Sequence, residues 1–195
     1  MATVGAGRWR TIDIVVASVL GVAFGVVFWV WDLVWKAFGN AFNFFPPAGG
    51  LIIGVWMLAA VVGGLVIRKP GAAVYTEFIA ALVSTLIGSQ WGWATVWEGV
   101  VEALGGELAF ALLMYRYFKL PAAMLAGALC CVAATVYEWF AYWQGWGWTF
   151  RLSYTAIGAV SGALIAGVGG WALVQALART GVLDRFGAGR ERATV

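Results

Sequence analysis

The sequence predicts an all-α, polytopic membrane protein: one domain of six transmembrane helices with both termini on the cytoplasmic side. Three observations carry that expectation. Of 195 residues, 63% are hydrophobic and only 11% charged, whereas soluble domains carry roughly 25% charged residues. Apolar runs suited to helices crossing a ~30 Å hydrocarbon core recur along the chain. Basic residues then fall unevenly about six alternating spans. Arg8, Arg10, Arg68, Lys69, Arg116, Lys119, Arg179, Arg185, Arg190 and Arg192 lie on one side, with only Lys36 and Arg151 on the other, which is a positive-inside pattern.

The first span, about residues 12–34, follows Arg8 and Arg10. It is longer than a signal-peptide core and lacks a cleavage site, so it reads as retained. The segment KAFGNAFNFFPPAGG breaks the apolar pattern and forms the longest outer loop. A second span, 50–67, stops at RKPGAA, and the third covers 74–88. Gln90 to Trp93 make a turn into the fourth, 92–115, which ends at Arg116 and Lys119. Pro121 opens the fifth, 122–142. The loop WQGWGWTFR precedes the sixth, 152–178, and the polar tail 180–195 is expected to be frayed.

Several chemistries are disfavoured. There is no histidine, so the commonest metal ligand and neutral-pH base is missing. Cys130 and Cys131 are adjacent within an apolar run, which suits packing better than a disulfide or a metal. No GxxxxGK[ST] loop occurs, so this chain is not expected to hydrolyse nucleotide. Without a metal cluster or a nucleophile–base pair, an integral membrane enzyme is the weakest reading. No cofactor and no nucleic-acid partner are expected; the bilayer is the surrounding medium.

The acids point instead to a ligand site. A carboxyl at membrane depth costs at least ~2.5 kcal/mol on insertion scales and marks a cavity or partner. Glu98 and Glu102 are four apart and share a helix face, while Glu107 is turned away from Glu98 and lies about 13 Å deeper. Glu77 reaches a similar depth on the preceding helix, so Glu77 and Glu107 are expected either as a buried pair fixing the hairpin or as ligand acids. Glu138 stands near the outer end of the fifth span with Tyr142, and Tyr154 can reach its level; a salt bridge to Arg151 is the alternative. Of thirteen tryptophans, Trp29, Trp31, Trp35, Trp91, Trp93, Trp97, Trp139, Trp143, Trp146 and Trp148 lie toward the outer side. Trp9 and Trp171 lie toward the inner side, and Trp56 is intermediate. That imbalance suggests that some of them, Trp146 included, line a mouth for a flat cationic ligand. Small-residue stripes at Ala17, Gly21, Gly25 and at Gly158, Gly162, Ala166, Gly170 offer smooth faces for close helix approach.

The runs RKPGAAVYTEFIAAL, GSQWGW and GVVEALGGELAFALLMYR resemble the YkoE family, the substrate-binding (S) components of energy-coupling factor (ECF) transporters for thiamine and its hydroxymethylpyrimidine precursor. The resemblance implies a non-enzymatic, multi-pass protein of the prokaryotic plasma membrane. It also implies a vitamin pocket facing outward, a transmembrane coupling (T) subunit and two cytoplasmic ATPases as partners, and release by toppling. It carries Gln90, Trp91 and Glu102 into the pocket. The first-helix stripe used for docking maps onto Ala17, Gly21 and Gly25, with glycine for alanine at two positions. An autonomous proton-coupled permease, with Glu77 and Glu107 as a protonatable pair, is the alternative.

Overall fold

A computed structural model describes residues 8–190, and every regular element among them is helical. Helix α1 (Thr11–Phe38) starts at a capping box, in which Asp13 accepts the Arg10 backbone N–H at 2.7 Å and its guanidinium at 2.8 Å. An acid in the first turn also suits the helix dipole. Lys69 adds a second ion pair to Asp13 and donates to the Arg8 carbonyl at 2.6 Å. The start of α1 is thereby tied to the turn leading into α3.

The outer loop and second span differ from expectation. Instead of an open loop, α1 continues to Phe38, and two 3-10 segments follow, Gly39–Phe42 and Pro46–Val55, before α2 (Leu58–Ile67). The first third of the expected helix 50–67 is therefore 3-10. Close approach to a later helix accounts for this, because a Cβ on Gly54 would sit 2.6 Å from the Ser161 carbonyl oxygen. The Ser161 hydroxyl accepts the Gly54 N–H at 3.1 Å and donates to the Leu51 carbonyl at 2.8 Å, serving backbone groups that an α-helix would pair internally.

Helix α3 (Ala72–Ile87) begins after Gly71 and ends at Gly88, both with positive φ. Helix α4 (Ala94–Leu112) ends three residues before the expected boundary, where Met114 and Tyr115 take left-handed φ values of 51° and 53°. Helix α5 (Leu120–Ala141) carries Pro121 in its first turn. The last rod starts earlier than expected, with α6 (Trp148–Ser161), a π-helical stretch (Gly162–Gly169) and α7 (Gly170–Arg179) running on without a break. The π stretch lies where α5 comes closest: a Cβ on Gly162 would overlap the Gly127 carbonyl, and one on Gly167 would sit 2.5 Å from Met124 Cα.

Thr11–Phe42, Pro46–Ile67, Leu120–Ala141 and Trp148–Arg179 are long and apolar enough to cross a membrane. Helix α3 is apolar but only 16 residues long, and α4 carries three glutamates in 19 residues. Helix α2 is buried on every side from Ala59 to Ile67 and forms the centre of the bundle.

Both small-residue stripes serve this internal packing. Ala17 is fully buried, and a Cβ on Gly21 or Gly25 would lie 2.6 Å from the Cβ of Ile79 or Val83 on α3. The stripe expected to dock a partner is thus occupied by α3, and α1 presents Val15, Val19, Val22, Val26 and Val30 outward instead. On the last rod Gly158 faces Ile53, and Gly170 faces Val61 and Val62.

The tail also departs from expectation. Leu183, Phe186 and Ala188 are buried, a short helix α8 (Gly187–Arg190) follows, and the Arg10 guanidinium lies 5.9 Å from the centre of the Phe186 ring. Residues 180–190 therefore pack back on the bundle rather than fray, with Phe186 beside Arg10 and Gly187 against the Arg68 side chain, which brings both ends of the described chain to one basic end. Residues 191–195 of the expected tail lie outside the described residues.

Candidate functional site

At the opposite, tryptophan-rich end lies a cavity of about 310 Å³. Trp35 of α1 contributes one wall, and Ile53, Trp56 and Met57 enter from the 3-10/α2 junction. Trp91, Thr95, Glu98 and Glu102 come from α4 and the turn before it. The end of α5 supplies Glu138, Tyr142 and Trp143, and α6 supplies Tyr154. None of these residues is basic.

The aromatic wall is built around Trp56. Its ring meets Trp35 edge-on at 5.8 Å and Trp91 at 5.7 Å. Asp32, only 3% exposed, orients it by accepting the indole N–H at 2.9 Å, and the Ser84 hydroxyl reaches the same carboxylate at 3.5 Å. Asp32 carried no role from sequence, although an acid in an apolar helix one turn before Trp35 is a signal of the same kind as the glutamates. Trp143 stacks on Trp146 with centroids 4.4 Å apart, and Tyr154 meets Trp146 edge-on at 5.6 Å.

Three carboxyls complete the lining. Glu138 accepts the Trp143 indole N–H at 3.0 Å and lies beside the Tyr154 hydroxyl. Tyr142, just past α5, donates its hydroxyl to Glu98 at 3.3 Å. Glu102, 6% exposed, faces Glu77 on α3. Gly99 lets α4 approach α3 beside them, since a Cβ there would sit 2.7 Å from the Ala81 Cβ. Fully buried, Glu77 takes the Ala60 N–H at 2.7 Å through Oε2, and its Oε1 has no hydrogen-bond partner among the described residues. Carboxyl groups and π faces around one cavity, with no basic residue in its lining, make a site suited to a flat cation.

Of the residues singled out from sequence, Trp91, Glu98, Glu102, Glu138, Tyr142 and Tyr154 come together here. Gln90 lies outside the cavity and donates to the Asp32 carbonyl at 3.4 Å, and Trp146 stands behind Trp143. Arg151 does not pair with Glu138. Its guanidinium donates to the Trp143 and Gln144 carbonyls at 3.4 and 2.9 Å and covers the Trp148 ring, stapling the α5–α6 turn. Nor do Glu77 and Glu107 pair. Glu107 accepts the N–H groups of Gly71 at 2.6 Å and Ala73 at 3.0 Å and the Tyr115 hydroxyl at 2.6 Å, capping the N-terminus of α3. Glu77 stands deeper and backs Glu102. Trp35 and Trp143 were among the outer tryptophans of which some were expected to line a mouth, and Trp56 was placed as intermediate, whereas Ile53, Met57 and Thr95 carried no signal.

Comparison with known proteins agrees with this architecture. Residues 12–133 match the family described as ABC-type cobalt transport system, permease component. The chain is 38% identical over 190 residues to a Bacillus subtilis (strain 168) protein named as an HMP/thiamine permease protein, YkoE, covering 94% of this chain and 92% of that one. The crystal structure of an S component of an ECF transporter matches with a TM-score of 0.91 at 34% identity, covering 96% of this chain and 94% of that one. Identity at this level along nearly the whole length, joined to the same fold, shows that this multi-pass plasma-membrane protein belongs to the YkoE family of ECF transporter S components.

Proposed function

We propose that the chain captures thiamine or its hydroxymethylpyrimidine precursor from outside the cell, for uptake driven by ATP hydrolysis on partner subunits. The observation that carries this reading is the cavity itself, where Glu98, Glu102 and Glu138 meet the tryptophan wall without a basic residue. A thiazolium ring is a permanent flat cation, which aromatic faces and carboxylates attract. An aminopyrimidine offers N–H donors that a carboxylate accepts. The volume lies at the small end of the range for ligand pockets, roughly 300–1,000 Å³.

The matched family's cobalt description suits the cavity less well. Cobalt binds well to imidazole nitrogen or thiolate, yet the chain has no histidine, and its two cysteines are not among the lining residues. The chain works as a binding subunit rather than an enzyme, with a T subunit and two ATPases supplying the energy. Six crossings with cytoplasmic termini fit the ten-to-two basic asymmetry of the sequence and the meeting of both chain ends at the basic end. The permease alternative loses its proposed protonatable pair, because Glu77 and Glu107 belong to separate networks.

The test is calorimetry on the purified full chain in detergent. Thiamine or hydroxymethylpyrimidine should bind at one per chain without nucleotide, since capture and energy coupling reside on different subunits. Proton-driven uptake of either compound into liposomes containing this chain alone would overturn the proposal in favour of the permease.

A further inference from the structure

A second hollow, of about 350 Å³, lies against the first and shares Trp35 and Trp91 with it. Its remaining lining is Lys36, Gly39, Asn40 and Gln90. The two indoles border both spaces, and the residues beside them in sequence, Lys36 and Gln90, line only the second. One space is acidic and aromatic; the other holds a cation and two side-chain amides.

Lys36 is the only charged residue lining either space that is not an acid. It is exposed in the last turn of α1, and no ion pair reaches it among the described residues. For a ligand that is only a cation, an ammonium at the edge of an acid-lined cavity is a repulsive neighbour. A ligand whose cationic ring lies in the cavity and whose other end is anionic removes that conflict. Lysine serves as a point-charge donor to phosphate, and the Asn40 and Gln90 amides can add N–H donors to phosphate oxygens.

We infer that the Lys36–Asn40–Gln90 hollow is a subsite for the anionic tail of the substrate, so that the chain accepts a phosphate monoester of its aromatic cation as well as the free alcohol. This rests on the substrate reading above and extends it. The tail passes between Trp35 and Trp91, while the ring keeps its contacts with Glu102 and the tryptophans. Because the subsite is open to solvent, its attraction is screened by salt, within a Debye length of about 10 Å at 0.1 M.

The experiment uses the full-length protein in detergent at low salt, titrated by calorimetry with thiamine and, separately, with thiamine monophosphate. The parent should bind both. Lys36→Gln should weaken the monophosphate roughly two- to fivefold, the range expected of one exposed charge contact, and leave thiamine unchanged. Lys36→Glu should widen the gap further, and about 0.5 M salt should narrow it in the parent. Unchanged thiamine affinity also shows that the variants are folded. The inference is overturned if the parent binds thiamine and excludes the monophosphate, or if Lys36→Gln weakens both ligands equally or neither. If the parent binds neither ligand, the thiamine arm of the substrate reading has failed, and this inference with it, whereas binding of hydroxymethylpyrimidine alone leaves the proposed function standing.

Discussion

Replacing Glu102 with glutamine should separate ligand binding from folding. Glu102 lines the cavity, and its carboxyl faces that of Glu77, whose Oε1 has no hydrogen-bond partner among the described residues. In Glu102→Gln the new amide can donate to that oxygen, so the variant is expected to fold at least as well as the parent. The ligand, however, loses a carboxylate partner. A hydrogen bond to a charged group in such a site contributes about 1.5–3 kcal/mol, or roughly ten- to a hundredfold in affinity. Glu107→Gln is the matched control. Oε1 of Glu107 takes Gly71 N–H and Tyr115 O–H, and Oε2 takes Ala73 N–H. An amide nitrogen in either place faces a backbone N–H that it cannot accept, so stability should fall by about 1–3 kcal/mol while affinity holds. Calorimetric titration with thiamine and thermal melting in the same detergent read the two quantities separately. Unchanged affinity in Glu102→Gln, or a loss of affinity confined to Glu107→Gln, would refute the assignment of these two acids.

Asp32→Leu should release the Trp56 indole and lower thiamine affinity about two- to tenfold, the range of one typical net hydrogen bond, since the bond lost is to Trp56 and not to the ligand. If Asp32 acts through Trp56, the double variant with Trp56→Phe should be no weaker than the more damaging single change, and additive losses in that cycle would show that it does not. Gly21→Leu drives a side chain into Ile79 and should destabilise the fold by about 1–3 kcal/mol, as overpacking does; a normal melting temperature would mean that α1 and α3 can separate there. Tyr142→Phe removes a single 3.3 Å bond to Glu98 at a partly exposed position and should change thiamine affinity by less than about fivefold. A larger loss, read by the same titration, would place the phenol on the ligand.

The sequence by itself determined the class of this protein, the basic and tryptophan-rich ends of its bundle and the glutamates that line its cavity, though not Asp32. Hydrophobicity, charge asymmetry and the cost of a carboxyl in an apolar helix can all be judged without knowing which way a helix is turned. Which way each helix turns was decided only by the tertiary structure. Amphipathic helices announce their buried face by periodicity, but α2 is apolar and buried all round, so its pattern carried no such signal. Rotation is set instead by close backbone contacts at glycine. Gly21 and Gly25 seat α1 on α3, Gly162 and Gly167 draw the widened last rod onto α5, and Gly54 with Ser161 holds the 3-10 segment against α6. Those contacts turn Glu102 toward Glu77 and the cavity, bring Glu107 to the start of α3 and place Asp32 under Trp56. A stripe of small residues looks the same in sequence whether a partner or a neighbouring helix fills it, and here α3 fills the stripe on α1, because the cost of close approach depends on which backbone arrives.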